Sequence, residues 1–163
     1  NILNLSEDEI IVNVQGDEPF IEVEVVEAVI NRVKQIKENN EDIMITSCYK
    51  EISSSLADDP NHVKVVLDEH SNAIYFSRAK VPYHRDHYEN ATYSGHLGIY
   101  GFTKKSLNAF CKLPSSKLEN IEKLEQLRAI DNGHKIAMVK VVSKSFGIDT
   151  QEDLNNALKI FGK

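Results

Sequence analysis

Glu9-Ile10-Ile11-Val12-Asn13-Val14 is a β-branched run that stops at Gly16-Asp17-Glu18-Pro19, and it limits the folds open to this chain. Such a run suits a strand buried on both faces, the situation of inner strands in α/β sheets. Residues about 22–38 then place Val26, Val29, Ile30, Val33 and Ile36 at helical spacing, with charge on the other side, and Asn39-Asn40 stops the helix. Ile43–Tyr49 reads as the next strand. Val63–Leu67 and Ala73–Ser77 flank the polar stretch Asp68–Asn72 and read as a hairpin. Residues 78–93 are basic, aromatic and turn-rich, the composition of an ordered loop. His96–Phe102 reads as a strand, residues 104–112 and about 117–132 as helices, and Lys135–Val142 as a strand. Gly133 closes the second helix, and Thr150 is the expected N-cap of a last one. Strands alternating with helices predict an α/β fold, a mixed sheet flanked by helices.

The length, 163 residues, is about that of one domain, and 41% hydrophobic residues are enough for a core. No apolar run approaches the roughly 18 residues of a membrane helix, and residues 1–9 are polar and acidic, without a signal-peptide pattern. A formal net charge of −6 without a long basic run argues against nucleic-acid or anionic-membrane binding, which rests on Lys/Arg–phosphate contacts. A small anionic ligand held by a few arginines remains compatible. Cys48 and Cys111 lie far apart among apolar neighbours and are expected to be reduced core thiols, as in a cytosolic protein.

The chemistry-bearing residues fall at turns and strand ends. Gln15-Gly16-Asp17 follows the first strand directly, and Gly147-Ile148-Asp149 follows the last one by a few residues, so the two segments could meet at one ligand edge. Carboxylates placed there suit a hard cation. Taken alone, though, Asp17 is as simply read as an acidic turn, and Asp149 as stabilisation of a helix start. Arg78 and Arg85 offer guanidinium forks for carboxylate or phosphate, against the plainer reading of a solvated basic loop. His84 and His87, three apart with no cysteine cluster, are weak evidence for zinc. His96 and Tyr100 share a face if their strand is undistorted and could hydrogen-bond a sugar, or could be packed core residues. Glu125 and Gln126 sit on the expected helix, Glu125 beside Ile121 at the edge of the apolar face made with Leu124 and Leu127; a solvated helix face is the alternative. The seven glycines include no phosphate-cradling loop. Gly95, Gly98 and Gly101, spaced by three, instead mark a bulge or a close backbone approach.

Six segments in order resemble the 3-deoxy-manno-octulosonate (Kdo) cytidylyltransferases. They are Val12–Pro19, Val63–Asp68, Tyr75–Ala79 with Val81-Pro82, His96–Gly101, Leu124–Arg128 and Gly147–Leu154. The resemblance implies a nucleotide-diphospho-sugar transferase-like fold and the reaction of CTP with Kdo to give CMP-Kdo and pyrophosphate, for lipopolysaccharide biosynthesis. It also implies Mg²⁺, a cytoplasmic location and a homodimer. Asp17 and Asp149 match the family's magnesium-binding and catalytic aspartates, and Gln15 a position at the junction of nucleotide and sugar. Arg78, Arg85, His96, Tyr100, Glu125 and Gln126 match positions lining the Kdo pocket.

Two departures from the family pattern stand out. Gln151 occupies a place where many relatives have proline, a preference rather than a requirement at a helix start. The family's glycine-rich nucleotide loop belongs well upstream of Asp17, and here 16 residues precede Asp17. Residues 1–163 are therefore expected to be a single α/β domain, incomplete at the N-terminus, forming the C-terminal two-thirds or so of a cytidylyltransferase. Residues about 73–132 are expected to supply a sugar-binding and dimerisation lobe. Residues 1–163 alone are expected to be inactive. The alternatives are activation of another acidic sugar, such as a sialic acid, and a non-catalytic sugar-binding fragment.

Overall fold

The computed structural model describes residues 4–86, 91–148 and 151–161. The elements run β1 (Ile10–Val14), α1 (Val23–Asn39), β2 (Ile45–Ser53), α2 (Ser54–Ala57), β3 (Lys64–Leu67) and β4 (Ala73–Ser77). They continue with β5 (Thr92–Thr103), α3 (Lys104–Phe110), α4 (Lys117–Glu122), α5 (Leu127–Asp131), β6 (Ile136–Lys140) and α6 (Gln151–Phe161). Among the described residues the strands form one mixed sheet in the order β4-β3-β5-β2-β6, with β1 also on β5. The pairing of β2 with β6 is parallel and the other ladders are antiparallel. The expected mixed α/β sheet is thus present.

Strand β5 is the spine. It takes β2 along one edge, while its other edge meets Lys64 of β3 at Gly95 and all of β1 from Ile99 to Thr103. The expectation that β1 is buried on both faces does not hold: Ile10–Val12 are half-buried and Asn13 and Val14 exposed. Among the described residues β1 is paired only with β5, so it lacks the cover of an inner strand.

Helix α1 packs on one face of this spine. Its buried stripe is Val25, Val29, Val33 and Ile36, rotated slightly from the expected one so that Val26 and Ile30 are half-buried. Each fully buried valine contributes on the order of 1.5–3 kcal/mol before its entropy cost. The helix ends at Asn40, whose left-handed φ of 52° lets its N–H return to the carbonyls of Ile36 and Lys37. Gly101 permits the close approach of helix and sheet: a Cβ there would lie 2.7 Å from Val29 Cγ1 and 2.8 Å from Val33 Cγ2. On the opposite face Phe76, Tyr100, Phe102, Leu124, Leu127 and Ile136 share a second core.

The hairpin β3–β4 forms as expected. Its turn is held by Asp68, whose carboxylate accepts from the N–H groups of His70 (2.8 Å) and Asn72 (2.7 Å).

The single helix expected over 117–132 is two short helices. Lys123 adopts a left-handed φ of 55° and breaks them apart, and Ile121, counted on the apolar face, is 64% exposed. The break is stabilised across the gap. Ser116 and Glu119 form a capping box, and the same Glu119 carboxylate takes the guanidinium of Arg128 in a bidentate pair. Glu119 is held down to about 2 by Arg128, against the burial that works to raise it. Apolar periodicity carries no information about this pair.

Cys48 is buried, and burial pushes its thiol up to about 12, but Cys111 is exposed and is not the core thiol expected. Thr150, the expected cap of α6, lies outside the described residues.

The Gly101 contact yields a prediction. Valine side chains on a helix are locked at χ1 and give way poorly. Gly101→Ala is expected to lower unfolding stability by about 1–3 kcal/mol, read as a reduced urea midpoint with an unchanged slope.

Candidate active site

A cleft of about 250 Å³ opens where the end of β1, the middle of β5, the end of β4 and the α4–α5 turn converge. Gln15, Asp17, Arg78, His96, Tyr100, Glu125 and Gln126 all line it, together with Gly147. Arg85 does not line it; its side chain is exposed in the loop after β4. Asp149 and His87 lie outside the described residues. Sequence reasoning missed Glu18, Lys50, His62 and Lys123, which also face the cleft.

The β1–α1 turn is bonded into the sheet. The Gln15 N–H donates to the Gly98 carbonyl (2.9 Å), and the Gly98 N–H returns to Glu18 Oε1 (3.1 Å). Gly98 sits in a bulge: the β2–β5 register shifts between Ser47, opposite Tyr100, and Cys48, opposite Leu97. A Cβ on Gly98 would lie 2.7 Å from Gln15 Oε1, so the close approach expected of the glycines is real here. Glu18 Oε2 accepts from Ser145 Oγ (2.8 Å), and the Ile148 N–H donates to the Asp17 carbonyl (2.9 Å). The two strand-end segments do meet at one edge.

Glu18 is 6% exposed, and burial holds its carboxyl above the usual range despite these donors. Lys50 Nζ donates to the Ser145 carbonyl, and burial lowers its pKa against the pull of Glu18 and Glu22. A lysine between two apolar stretches of a strand was the available signal for it. Nothing but adjacency to Asp17 marked Glu18.

His96 and Tyr100 are neutral hydrogen-bonding groups. Burial pushes the His96 imidazole down to about 3 and the Tyr100 phenol well above its usual value. Ser47 Oγ donates its one proton to the Ile99 carbonyl (2.7 Å), so its 2.9 Å contact with His96 Nε2 is donated by the ring. The proton therefore sits on Nε2, and Nδ1 is an acceptor. The bulge falls between the two residues, yet their rings remain 5.5 Å apart.

Arg78 and the α4–α5 turn form the opposite wall. Arg78 Nε donates to the Glu122 carbonyl (2.8 Å) and Nη1 to the Pro60 carbonyl (3.1 Å). Among the described residues no carboxylate forms an ion pair with it, so its charge remains available to an anion. Burial works to raise Glu122, but donors from Arg78, Ser77 and Tyr75 outweigh it and leave its pKa below the usual value. Gln126 is 3% exposed and lines the cleft, and among the described residues its Nε2 has no hydrogen-bond partner. A buried donor without an acceptor costs about 1–3 kcal/mol, a cost that a bound oxygen would remove. Glu125, beside it, is exposed at the cleft mouth rather than on a helix face. The Asp17 carboxylate is half-buried and, among the described residues, has neither an ion-pair partner nor a side-chain hydrogen bond.

Comparisons with known proteins identify the family. The sequence model of a family described as cytidylyltransferase matches residues 1–136. The 3-deoxy-manno-octulosonate cytidylyltransferase of Wolinella succinogenes is 55% identical over 99% of this chain and 67% of its own length. That of Helicobacter pylori is 51% identical over 98% and 65%. The chain belongs to the 3-deoxy-manno-octulosonate cytidylyltransferase family. It spans about two-thirds of the length of these relatives. A solved CMP:2-keto-3-deoxy-manno-octonic acid synthetase in complex with CTP superposes with a TM-score of 0.80 at 34% identity, over 93% of this chain and 61% of its own. A glucose-1-phosphate thymidylyltransferase from Bacillus anthracis shares the fold alone, with a TM-score of 0.55 at 14% identity over 96% of this chain and 56% of its own. The nucleotide-diphospho-sugar transferase-like architecture expected of the family is therefore the one observed. Among the described residues no helix is long and apolar enough to cross a membrane.

The buried imidazole gives a second prediction. A histidine whose folded pKa lies below its unfolded one contributes stability that is full above the ordinary value of 6.5 and is lost as pH falls from 6.5 towards about 3. The His96 ring resonances are expected to stay unshifted from pH 7 to pH 4 in an NMR titration. A shift centred near 6.5 would overturn the neutral assignment.

Proposed function

We propose that this chain is the sugar-binding and catalytic part of an enzyme that activates Kdo with CTP, giving CMP-Kdo and pyrophosphate for lipopolysaccharide biosynthesis. The observation that carries this reading is the convergence of Gln15, Asp17, Arg78, His96, Tyr100, Glu125 and Gln126 on one cleft, with Gln126 Nε2 left without a partner among the described residues. Family membership and the likeness to a synthetase solved with CTP support it.

Kdo is an acidic, hydroxyl-rich sugar, and the cleft has matching groups. Arg78 supplies a cation for the carboxylate. His96 Nδ1 accepts from a hydroxyl, Gln126 Nε2 donates to a sugar oxygen, and Glu125 and Tyr100 add an acceptor and a phenol. A sugar lacking these groups leaves buried polar atoms unpaired and is rejected. In the reaction the anomeric oxygen of Kdo forms a bond to the α-phosphorus of CTP, its proton is lost, and the bond to pyrophosphate breaks. The cleft contributes by orienting the sugar for in-line attack.

Mg²⁺ belongs to the same proposal. The donor set fits it: among the described residues Asp17 presents a carboxylate without a side-chain partner at the cleft, and Mg²⁺ takes one or two carboxylates with phosphate oxygens and water. Asp149, which follows the residue bonded to the Asp17 carbonyl, is the proposed second ligand. When bound, the ion neutralises phosphate charge and aligns the reacting groups. Asp17 and Asp149 are accordingly the proposed catalytic pair. Arg85 is proposed to reach the sugar only from outside the cleft as described. A cytoplasmic homodimer, with residues about 73–132 supplying both sugar-binding and dimer surfaces, completes the reading.

The test is pyrophosphate release by the native enzyme with CTP, Mg²⁺ and a panel of acidic sugars. Kdo is expected to be turned over and sialic acid not, and the reverse would overturn the substrate. Asp17→Asn is expected to lower turnover on the order of 10²-fold or more, with a thermal midpoint close to that of the parent because the carboxylate is half-buried and has no ion pair among the described residues. Parental turnover would remove Asp17 from the metal site.

A further inference from the structure

Glu122 is not among the residues expected to contact substrate, yet it joins the end of β4 to the α4–α5 turn within one wall of the cleft. Its Oε1 accepts from Ser77 Oγ (2.7 Å) and Tyr75 OH (3.2 Å), and its Oε2 accepts from the Arg78 N–H (2.9 Å). Its main-chain carbonyl accepts from Arg78 Nε (2.8 Å). Three residues on, after the left-handed turn at Lys123, come Glu125 and then Gln126. One residue of α4 thus holds the guanidinium on one side and begins the turn carrying the sugar-facing polar pair on the other. Lys64, fully buried, steadies the same strand end: its Nζ donates to the carbonyls of Arg78 (2.6 Å) and Asp59 (3.1 Å).

We propose that Glu122 is a positioning residue for the acidic sugar, setting Arg78 and the Glu125–Gln126 turn at a fixed separation on one wall of the cleft. The proposal rests on the reading that Arg78 binds the sugar carboxylate. Glu122 acts through Arg78 and touches neither substrate. Its carboxylate accepts from two hydroxyls of β4 and from the Arg78 N–H, and an isosteric amide replaces it poorly: with its oxygen on the Arg78 N–H, its NH₂ forces the Ser77 and Tyr75 hydroxyls to turn round and accept, and the negative charge beside Arg78 is lost.

The test is steady-state kinetics of Glu122→Gln in the native, full-length enzyme, with CTP and Kdo varied in turn. The KM for the sugar is expected to rise about tenfold or more, with the KM for CTP and kcat within about twofold and the circular dichroism unchanged. Equal rises in both KM values, or an unchanged sugar KM, would overturn the proposal. Arg78→Ala separates the two layers. If it leaves the sugar KM unchanged, the carboxylate reading and the proposal fall together. If it raises the sugar KM, adding Glu122→Gln to it is expected to have little further effect, because both changes act on one contact. Full additivity would reduce Glu122 to a structural role. Should Glu122→Gln not fold, Tyr75→Phe removes one donor to the same carboxylate and keeps the ring. An increase of about threefold in the sugar KM alone is then expected, and no increase overturns the proposal.

Discussion

A buried carboxylate organises the ligand edge of this protein. Glu18 accepts from the Gly98 N–H with one oxygen and from Ser145 Oγ with the other, so three distant pieces of chain meet on one side chain. Those pieces are the turn after β1, the bulge in β5 and the segment after β6. Burying a charge-capable group requires such partners. Once they are in place, the positions of Asp17 and Gln15 follow, and so does the contact between Ile148 and Asp17. A side chain at Gly98 would force the Gln15 side chain to move, because a Cβ there would lie 2.7 Å from Gln15 Oε1.

The rest of the cleft divides into charged groups at its rim and neutral groups in its wall. His96 and Tyr100 are held neutral by burial, and the proton position on His96 is set by Ser47 and the Ile99 carbonyl rather than by pH. Arg78, Lys50 and Lys123 supply positive charge beside Asp17, Glu18 and Glu125. A chain with a net charge of −6 can receive anionic ligands only where such cations are concentrated. The arginine is aimed by the carbonyl oxygens of Glu122 and Pro60, and among the described residues no ion pair occupies its guanidinium.

Much of the fold was legible from residue order. Strand-like segments marked β2 to β6, the Asp68–Asn72 turn marked the hairpin, and the stripe through Val29, Val33 and Ile36 marked α1. The misreadings share a cause. The span 117–132 has a helical period throughout, but the Glu119–Arg128 pair favours two helices with a turn between them, and that turn puts Gln126 in the cleft. β1 has the composition of an inner strand, but its exposure depends on which strands lie beside it.

The sequence by itself determined the element types, the hinge-like glycines of β5, and the residue types able to bind an acidic sugar and a hard cation, because those depend on local period and side-chain chemistry. Tertiary structure alone decided that seven of those residues share one cleft while Arg85 does not line it. It alone decided the proton position on His96 and the role of Glu18 and Glu122. Each of these is set by partners far away in the chain, 45 residues for Ser77 with Glu122 and 127 for Ser145 with Glu18. No pattern in a local window encodes such a pairing; the packing of β5 against both of its faces brings the partners together.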